Sequence, residues 1–367
     1  MKRILSLFLS VLMILFCVPL FANAQSSDSE YNFTLSTQDI TIRDPAVLAY
    51  NGLYYMYGTG ASTVAGYGCY VSRDLENWAG PFNVFEAAKT EDFDGVGCYW
   101  APECHYYQGS FYLFATYKSD TTGFRGTSVF KAESPLGPFT EISNGHITPH
   151  DTDNIDGTLY IDEYGQPWMV YVCEWTTQFM GEGKMAVAKM SSDLTHFISA
   201  PKILFHARNS AWASGGVTDG PWLYKTSEGK LLMLWSSVSE EGYAMGIAES
   251  KNGKVNGEWK HHFSRIYTGS LYGLDTDREG GHGMIFETFD GRLMMSIHSP
   301  NYSDAATGVH ETATFIELED TGSTIKVKNI NPAYRILEKL QTFIKMFDNW
   351  GYNIEYNIRK YLGVEPD

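Results

Sequence analysis

The chain has 367 residues, of which 44% are hydrophobic, 15% aromatic and 19% charged, a balance that excludes a disordered polypeptide. Its 27 Lys and Arg stand against 43 Asp and Glu, a formal charge of −16 with no basic cluster, which excludes nucleic acid as a partner. Thirty-five Gly, 24 Tyr, 21 Phe and 9 Trp point to tight turns and aromatic strands rather than long helical bundles.

Lys2 and Arg3 precede an apolar run over 4–21, and Ala22-Asn23-Ala24 then supplies a small-x-small cleavage pattern before Gln25. Residues 1–24 therefore read as a signal peptide, and the mature protein is expected in the periplasm or outside the cell. The run approaches membrane-spanning length, but the cleavage pattern and the polar QSSDSE after it favour removal, so the mature protein is not expected to span a membrane. Cys17 follows Leu15-Phe16 where lipidation needs a small residue, so no lipid anchor is expected. Cys69, Cys98, Cys104 and Cys173 remain, too few for a disulfide scaffold and without zinc-ligand spacing; they read as buried thiols or one local bridge.

From residue 38 to 330 one feature recurs: an apolar strand, a turn ending in Gly, and a second aromatic or aliphatic strand. The instances are NGLYYMYGTG at 51, QGSFYLFATY at 108, YGQPWMVYVC at 164, EGKLLMLWSS at 228 and DGRLMMSIHS at 290. Their turn glycines, Gly52, Gly109, Gly165, Gly229 and Gly291, lie 56–64 residues apart. Further strands such as GCYVSRDLENW and TSVFKAESPLGPF follow each hairpin, so three or four strands fill each period. Units of that size and regularity predict a single all-β domain over 38–330, a five-bladed β-propeller. After Asn331, Ile336, Leu337, Leu340, Phe343, Ile344 and Phe347 fall at helical spacing, and Gly351 supplies a stop. Residues 331–367 are thus a C-terminal extension with a short amphipathic helix, expected to pack on the propeller.

The first strand of each propeller blade lines the central channel, so residues just before those strands gather at one mouth of the axis. Asp44 lies eight residues before its turn glycine, Asp156 nine, Asp219 ten and His282 nine, while blade two offers Trp100-Ala101-Pro102-Glu103 in the same stretch. Each Asp alone reads as a turn cap bonding its own backbone. A shared register across blades makes them a cluster instead, in which mutual repulsion raises the pKa of at least one carboxyl, as a general acid requires.

The motifs IRDPAVLAYNGLYYMYGTG, YWAPECHYYQGSFYLFATY, NIDGTLYIDEYGQPWMVY, GGVTDGPWLYKTSEGKLLMLWSS and GGHGMIFETFDGRLMMSIHSPN, in this order, resemble glycoside hydrolase family 43. The resemblance implies a five-bladed propeller and an inverting glycosidase with three essential carboxylates: Asp44 as general base, Asp156 as the carboxylate that holds and tunes the acid, and Asp219 as general acid. The family carries Glu before Gly-Pro in the fourth motif where this chain has Asp219, one methylene shorter. A shortfall of about 1 Å there can cost on the order of 100-fold in rate, and Glu103 is the substitute acid to consider. Trp100 is a candidate sugar platform, with Glu103, Trp222 and Arg278 as candidate substrate contacts. His282 aligns with a histidine found in relatives near a metal ion or ordered water; no cofactor is required by this reading, and calcium, which prefers oxygen ligands, is the ion to consider beside it.

The expected function is a secreted glycosidase releasing arabinofuranosyl, xylosyl or galactosyl units from plant oligo- or polysaccharides, by exo or endo action. Its specificity would be set by the loops at 59–68, 118–126, 174–183 and 267–280. The competing reading, motivated by Asp219, is a carbohydrate-binding propeller with weak or no catalysis.

Overall fold

The computed structural model describes residues 31–269, 279–328 and 330, together with isolated positions between 336 and 361. The expected signal peptide and Arg278 lie outside the described residues. Each glycine turn folds as a hairpin, and the hairpins extend into five antiparallel sheets within the unit Phe33–Asp367. Blade one holds β1 (Leu35–Ser36), β2 (Arg43–Tyr50), β3 (Leu53–Thr59), β4 (Gly66–Ser72) and β5 (Asn77–Glu86). Blade two holds β6 (Gly95–Tyr107), β7 (Ser110–Ser119), β8 (Arg125–Ala132) and β9 (Thr140–Glu141). Blade three is β10 (Asn154–Ile161), β11 (Pro167–Cys173), β12 (Lys184–Lys189) and β13 (Lys202–His206). Blade four is β14 (Asp219–Lys225), β15 (Leu231–Ser239), β16 (Gly242–Ser250) and β17 (Trp259–Tyr267). Blade five is β18 (Gly281–Glu287), β19 (Leu293–Ser299), β20 (Thr312–Asp320) and β21 (Ile325–Val327).

Every sheet is a meander, strand pairing with next strand; only β1 departs, adding to the outer edge of blade one beside β5. Among the described residues no strand passes between the first and last blades. Their seam is held by other means: the Ile42 N–H donates to the Glu311 carbonyl at 2.9 Å, Arg43 pairs with the Glu311 carboxylate at 2.5 Å, and the Ser296 hydroxyl donates to the Pro45 carbonyl at 2.5 Å.

Middle strands such as β11 and β15 are packed on both faces by neighbouring blades, which is why they read as unbroken apolar runs rather than alternating patterns. Val170, Met185, Trp212 and Trp235 fill the space between blades three and four; Leu234, Met245, Ile285 and Met295 do so between four and five; Met56, Trp78, Met284 and Phe286 between five and one. Each such side chain contributes roughly 1.5–3 kcal/mol on burial.

The four described cysteines are free thiols, so of the two expected readings the local bridge is not formed, and Cys69, Cys104 and Cys173 are buried thiols while Cys98 is partly exposed. Burial pushes three of these thiols up, Cys69 well above the ordinary value, Cys104 to about 12 and Cys173 to about 11, which leaves those three unreactive. Of the expected C-terminal helix, most positions lie outside the described residues; the isolated positions that are described are helical, and Ile336, Leu340, Phe343 and Trp350 among them are exposed. No described helix is long and apolar enough to cross a membrane.

Two histidines in the blades give the fold an acid limit. Burial pushes His261 down to about 3 and His146 down to about 4, and neither ring nitrogen of His261 has a hydrogen-bond partner among the described residues. Both folded values lie below the ordinary histidine value of about 6.5, so the stability they lend is complete above that pH and is lost as pH falls toward 4 and then 3. His261 sits edge-on to Phe205 with centroids 4.6 Å apart, and a phenyl ring can replace it. His261→Phe is therefore expected to shrink the drop in melting temperature between pH 7 and pH 4.5; an unchanged drop would remove His261 from this account.

Candidate active site

The five inner strands share one irregularity near their starts. The ladder to the second strand shifts register between Arg43 and Ala46, Trp100 and Glu103, Ile155 and Thr158, Asp219 and Trp222, and Gly281 and Met284. Inside each shift one residue takes a left-handed conformation: Asp44 (φ 54°), Ala101 (φ 40°), Asp156 (φ 54°), Gly220 (φ 47°) and His282 (φ 47°). Such bulges re-aim side chains, and a strained non-glycine residue at about 1–3 kcal/mol persists only where its surroundings fix it.

The fixing groups come from the preceding blade. The peptide N–H of Ala101 donates to the Thr59 hydroxyl at 2.7 Å, that of Asp156 to Thr116 at 3.0 Å, that of His282 to Ser236 at 2.8 Å, and that of Asp44 to Nδ1 of His298 at 3.2 Å. Blade three carries Val172 at the equivalent position, paired with Ile155, and offers no side-chain acceptor. The Gly220 N–H turns instead to the Asp156 carboxylate, Oδ2 accepting at 3.3 Å. Asp156 is thereby tied to the turn that carries Asp219.

Asp219 thus stands one residue ahead of the left-handed column, in the place that Trp100 takes in blade two. Glycine is needed in the column itself: a Cβ on Gly220 would meet the His282 ring at 2.6 Å. Asp219 nonetheless joins the ring of charges. Nδ1 of His282 lies 3.1 Å from Asp44, 3.8 Å from Asp156 and 3.9 Å from Asp219. Asp219 is the most exposed of the three carboxylates, its side chain 16% accessible against 10% for Asp44 and 4% for Asp156.

The electrostatics follow from one buried imidazole among three acids. Burial alone would lower the His282 pKa, but Asp44, Asp156 and Asp219 raise it to about 10, so the ring is a cation at neutral pH. Burial would raise Asp44; the charge and hydrogen bond of His282, with His298 and Arg43, outweigh it and hold this carboxyl well below the usual range. Asp156 goes the other way, pushed well up by burial and by the charges of Asp219 and Asp44 against the pull of His282. Three residues escaped the sequence reading. The Thr59 hydroxyl donates to Oδ2 of Asp44 at 2.6 Å, and the Tyr243 hydroxyl donates to Oδ2 of Asp219 at 2.7 Å. His298 accepts from the Asp44 peptide on Nδ1, so its proton sits on Nε2 facing Asn301 at 2.9 Å, and its ring stacks on Tyr243.

Trp100 is partly exposed and adjoins the ring through Ala101. Glu103 and Trp222 are placed elsewhere on the axis. Glu103 is buried and paired with His105 at 3.2 Å; Trp222 stacks on His105 with centroids 5.6 Å apart and lines a cavity of about 400 Å³ with Val47, Met284 and Phe286, at the later halves of the inner strands. The structure does not bring these two to the carboxylates. Asp156, Asp219 and His282 offer three ligand atoms within 4.8 Å of one another, a set that can hold a cation, although calcium's preference for six to eight oxygens leaves most positions to water. A metal there would supply fixed positive charge between the acids, and the imidazolium of His282 already supplies it.

Carboxylates converge around a buried cation at one end of the inner strands of a five-bladed propeller, an arrangement of the kind that glycoside hydrolysis by acid and base catalysis uses. The chain belongs to the glycosyl hydrolases family 43, whose family model matches residues 37–320. Enzymes of this family act with inversion and in general need no cofactor. Among solved structures, an endo-arabinase from Bacteroides thetaiotaomicron is 33% identical, with a TM-score of 0.69 over 78% of this chain and 98% of that one. An endo-1,4-beta-xylanase from the same organism is 26% identical, with a TM-score of 0.66 over 81% and 97%. An alpha-L-arabinofuranosidase from Lactobacillus brevis, 18% identical with a TM-score of 0.57 over 78% and 94%, shares the fold. No curated protein matches the sequence. The protein is thus an inverting glycosidase.

Proposed function

We propose that this enzyme hydrolyses arabinofuranosyl linkages of plant arabinan, with Asp44 as general base, Asp219 as general acid and Asp156 as the carboxyl that orients and tunes Asp219. The carrying observation for the roles is the ring around His282, and for the sugar it is the likeness to the endo-arabinase along nearly all of that protein's length. Asp44, held ionised by His282 and aligned by Thr59, is ready to take a proton from water. Asp219, the more exposed carboxyl, faces the leaving oxygen with Tyr243 fixing its other oxygen. Nearest oxygens of the two, 3.1 and 3.9 Å from one nitrogen, are at most about 7 Å apart, close enough for both carboxyls to act on one glycosidic bond. Charge growing on the sugar ring as the bond breaks is met by the ionised Asp44. Export, supported by the cleavage pattern at 22–24, places this activity where polysaccharide is.

Debranched arabinan, xylan, galactan and an aryl arabinofuranoside offered to the mature enzyme test this directly. Arabinan is expected to be cut at least about tenfold faster than xylan or galactan, a discrimination within reach of pocket contacts. Proton NMR of the first product is expected to show the inverted anomer. A faster rate on xylan or galactan would overturn the arabinan assignment, and binding of arabinan without turnover would move the protein to the carbohydrate-binding reading.

A further inference from the structure

We propose that Arg125 is a positioning residue for substrate recognition: it clamps the indole of Trp100 at the rim of the carboxylate ring so that the ring serves as a sugar platform. The inference rests on the glycosidase reading above and names a part of the site which that reading does not use. Arg125 opens β8, and its guanidinium lies over the Trp100 ring, 5.3 Å from the centroid. Three acceptors hold it there: Nε donates to Glu174 at 2.7 Å, and Nη2 donates to Asp153 at 2.9 Å and to Thr176 at 3.2 Å. Its own peptide N–H donates to the second oxygen of Asp153 at 2.7 Å. Both carboxylates are buried, and the Glu174 N–H donates to the Asp153 carbonyl at 3.0 Å, so the acceptors are themselves fixed to each other.

Two buried carboxylates side by side need a cation, and a surface ion pair would not explain their burial. What the arrangement provides is a rigid arm from blade three to the indole of blade two. Trp100 already shares its frame with the catalytic groups. Its ladder partner Thr116 holds the Asp156 N–H, and the next residue, Ala101, donates to the Thr59 hydroxyl that in turn donates to Asp44. With the backbone fixed by those bonds, the freedom left to Trp100 is rotation of its indole, and a guanidinium stacked on one face removes it. Arg125 and Glu174 lie in two of the loops expected to govern substrate choice, at 118–126 and 174–183. A lysine could not take this place, because one ammonium cannot lie over the indole while forking to two carboxylates.

The test compares the parent with Arg125→Gln, Arg125→Lys and Trp100→Phe. The fluorescence of the parent minus that of Trp100→Phe isolates the Trp100 signal, and Arg125→Gln is expected to shift it in the absence of any sugar. On arabino-oligosaccharides both Arg125 variants are expected to raise KM roughly tenfold with kcat within threefold, and Trp100→Phe added to Arg125→Gln is expected to change KM little further. An unaltered Trp100 signal in Arg125→Gln overturns the clamp, as does a lowered melting temperature with KM unchanged, the mark of a merely structural ion pair. Failure of the parent to cut any glycan would refute the hydrolase reading alone, since the fluorescence comparison stands without turnover.

Discussion

Asp44→Asn is expected to lower kcat on arabinan by about 10³–10⁴-fold while leaving oligosaccharide binding within a few-fold of the parent, the loss typical of removing a general base. The replacement is isosteric, and its amide oxygen can still accept from the Thr59 hydroxyl that now bonds Oδ2 at 2.6 Å. The peptide contact to His298 concerns only the backbone, so the left-handed turn survives. What disappears is the charge. Asp44 is the closest of the acids that raise His282 to about 10 and contributes most among them, so the imidazole of the variant titrates at lower pH as well. Release of reducing sugar measures the rate, and calorimetric titration with an oligosaccharide measures the binding. Retention of more than a tenth of the parental kcat with intact binding would remove Asp44 from the base role.

The five sheets were legible because each blade repeats a glycine turn at nearly constant spacing, and because strands packed on both faces must be continuously apolar. The site was legible in part. Counting back from the turn glycines, Ala101 stands eight residues away, Asp44 eight, and Asp156, Gly220 and His282 nine; Asp219 alone stands at ten. That extra residue was the trace of its offset from the left-handed column, hidden because a carboxylate draws attention where the neighbouring glycine does not. The latch groups were readable too. Thr59, Thr116, Val172, Ser236 and His298 each follow their turn glycine by seven residues, the register at which a second strand faces the next blade's bulge. A lone Thr or Ser at the end of an apolar strand gives no hint that it accepts a peptide N–H across the seam, so only the geometry revealed it. Tyr243 and Arg125 were illegible for another reason: both lie on third strands, where no repeat ties their positions to the axis. Trp222, by contrast, was singled out by closeness in sequence to Asp219, yet a strand alternates its faces and three residues further along it reaches the core instead.

Asp219→Asn separates the acid from the other carboxylates by the dependence of its effect on the leaving group. A glycosidic alkoxide leaves poorly and needs a proton, whereas a dinitrophenolate leaves without one. The variant is therefore expected to lose about 10²–10⁴-fold on arabinan but less than about tenfold on a dinitrophenyl arabinofuranoside. Asn can keep the hydrogen bond from Tyr243, now 2.7 Å from Oδ2, so loss of geometry is not the cause of the deficit. The same comparison tests the assignment of Asp156. Asp156→Asn keeps an oxygen for the Gly220 N–H and removes the titratable carboxyl that lies against Asp219, so it should slow arabinan by less than Asp219→Asn while showing the same leaning toward good leaving groups. Equal losses on both substrates for Asp219→Asn would mean that this residue serves binding or water activation.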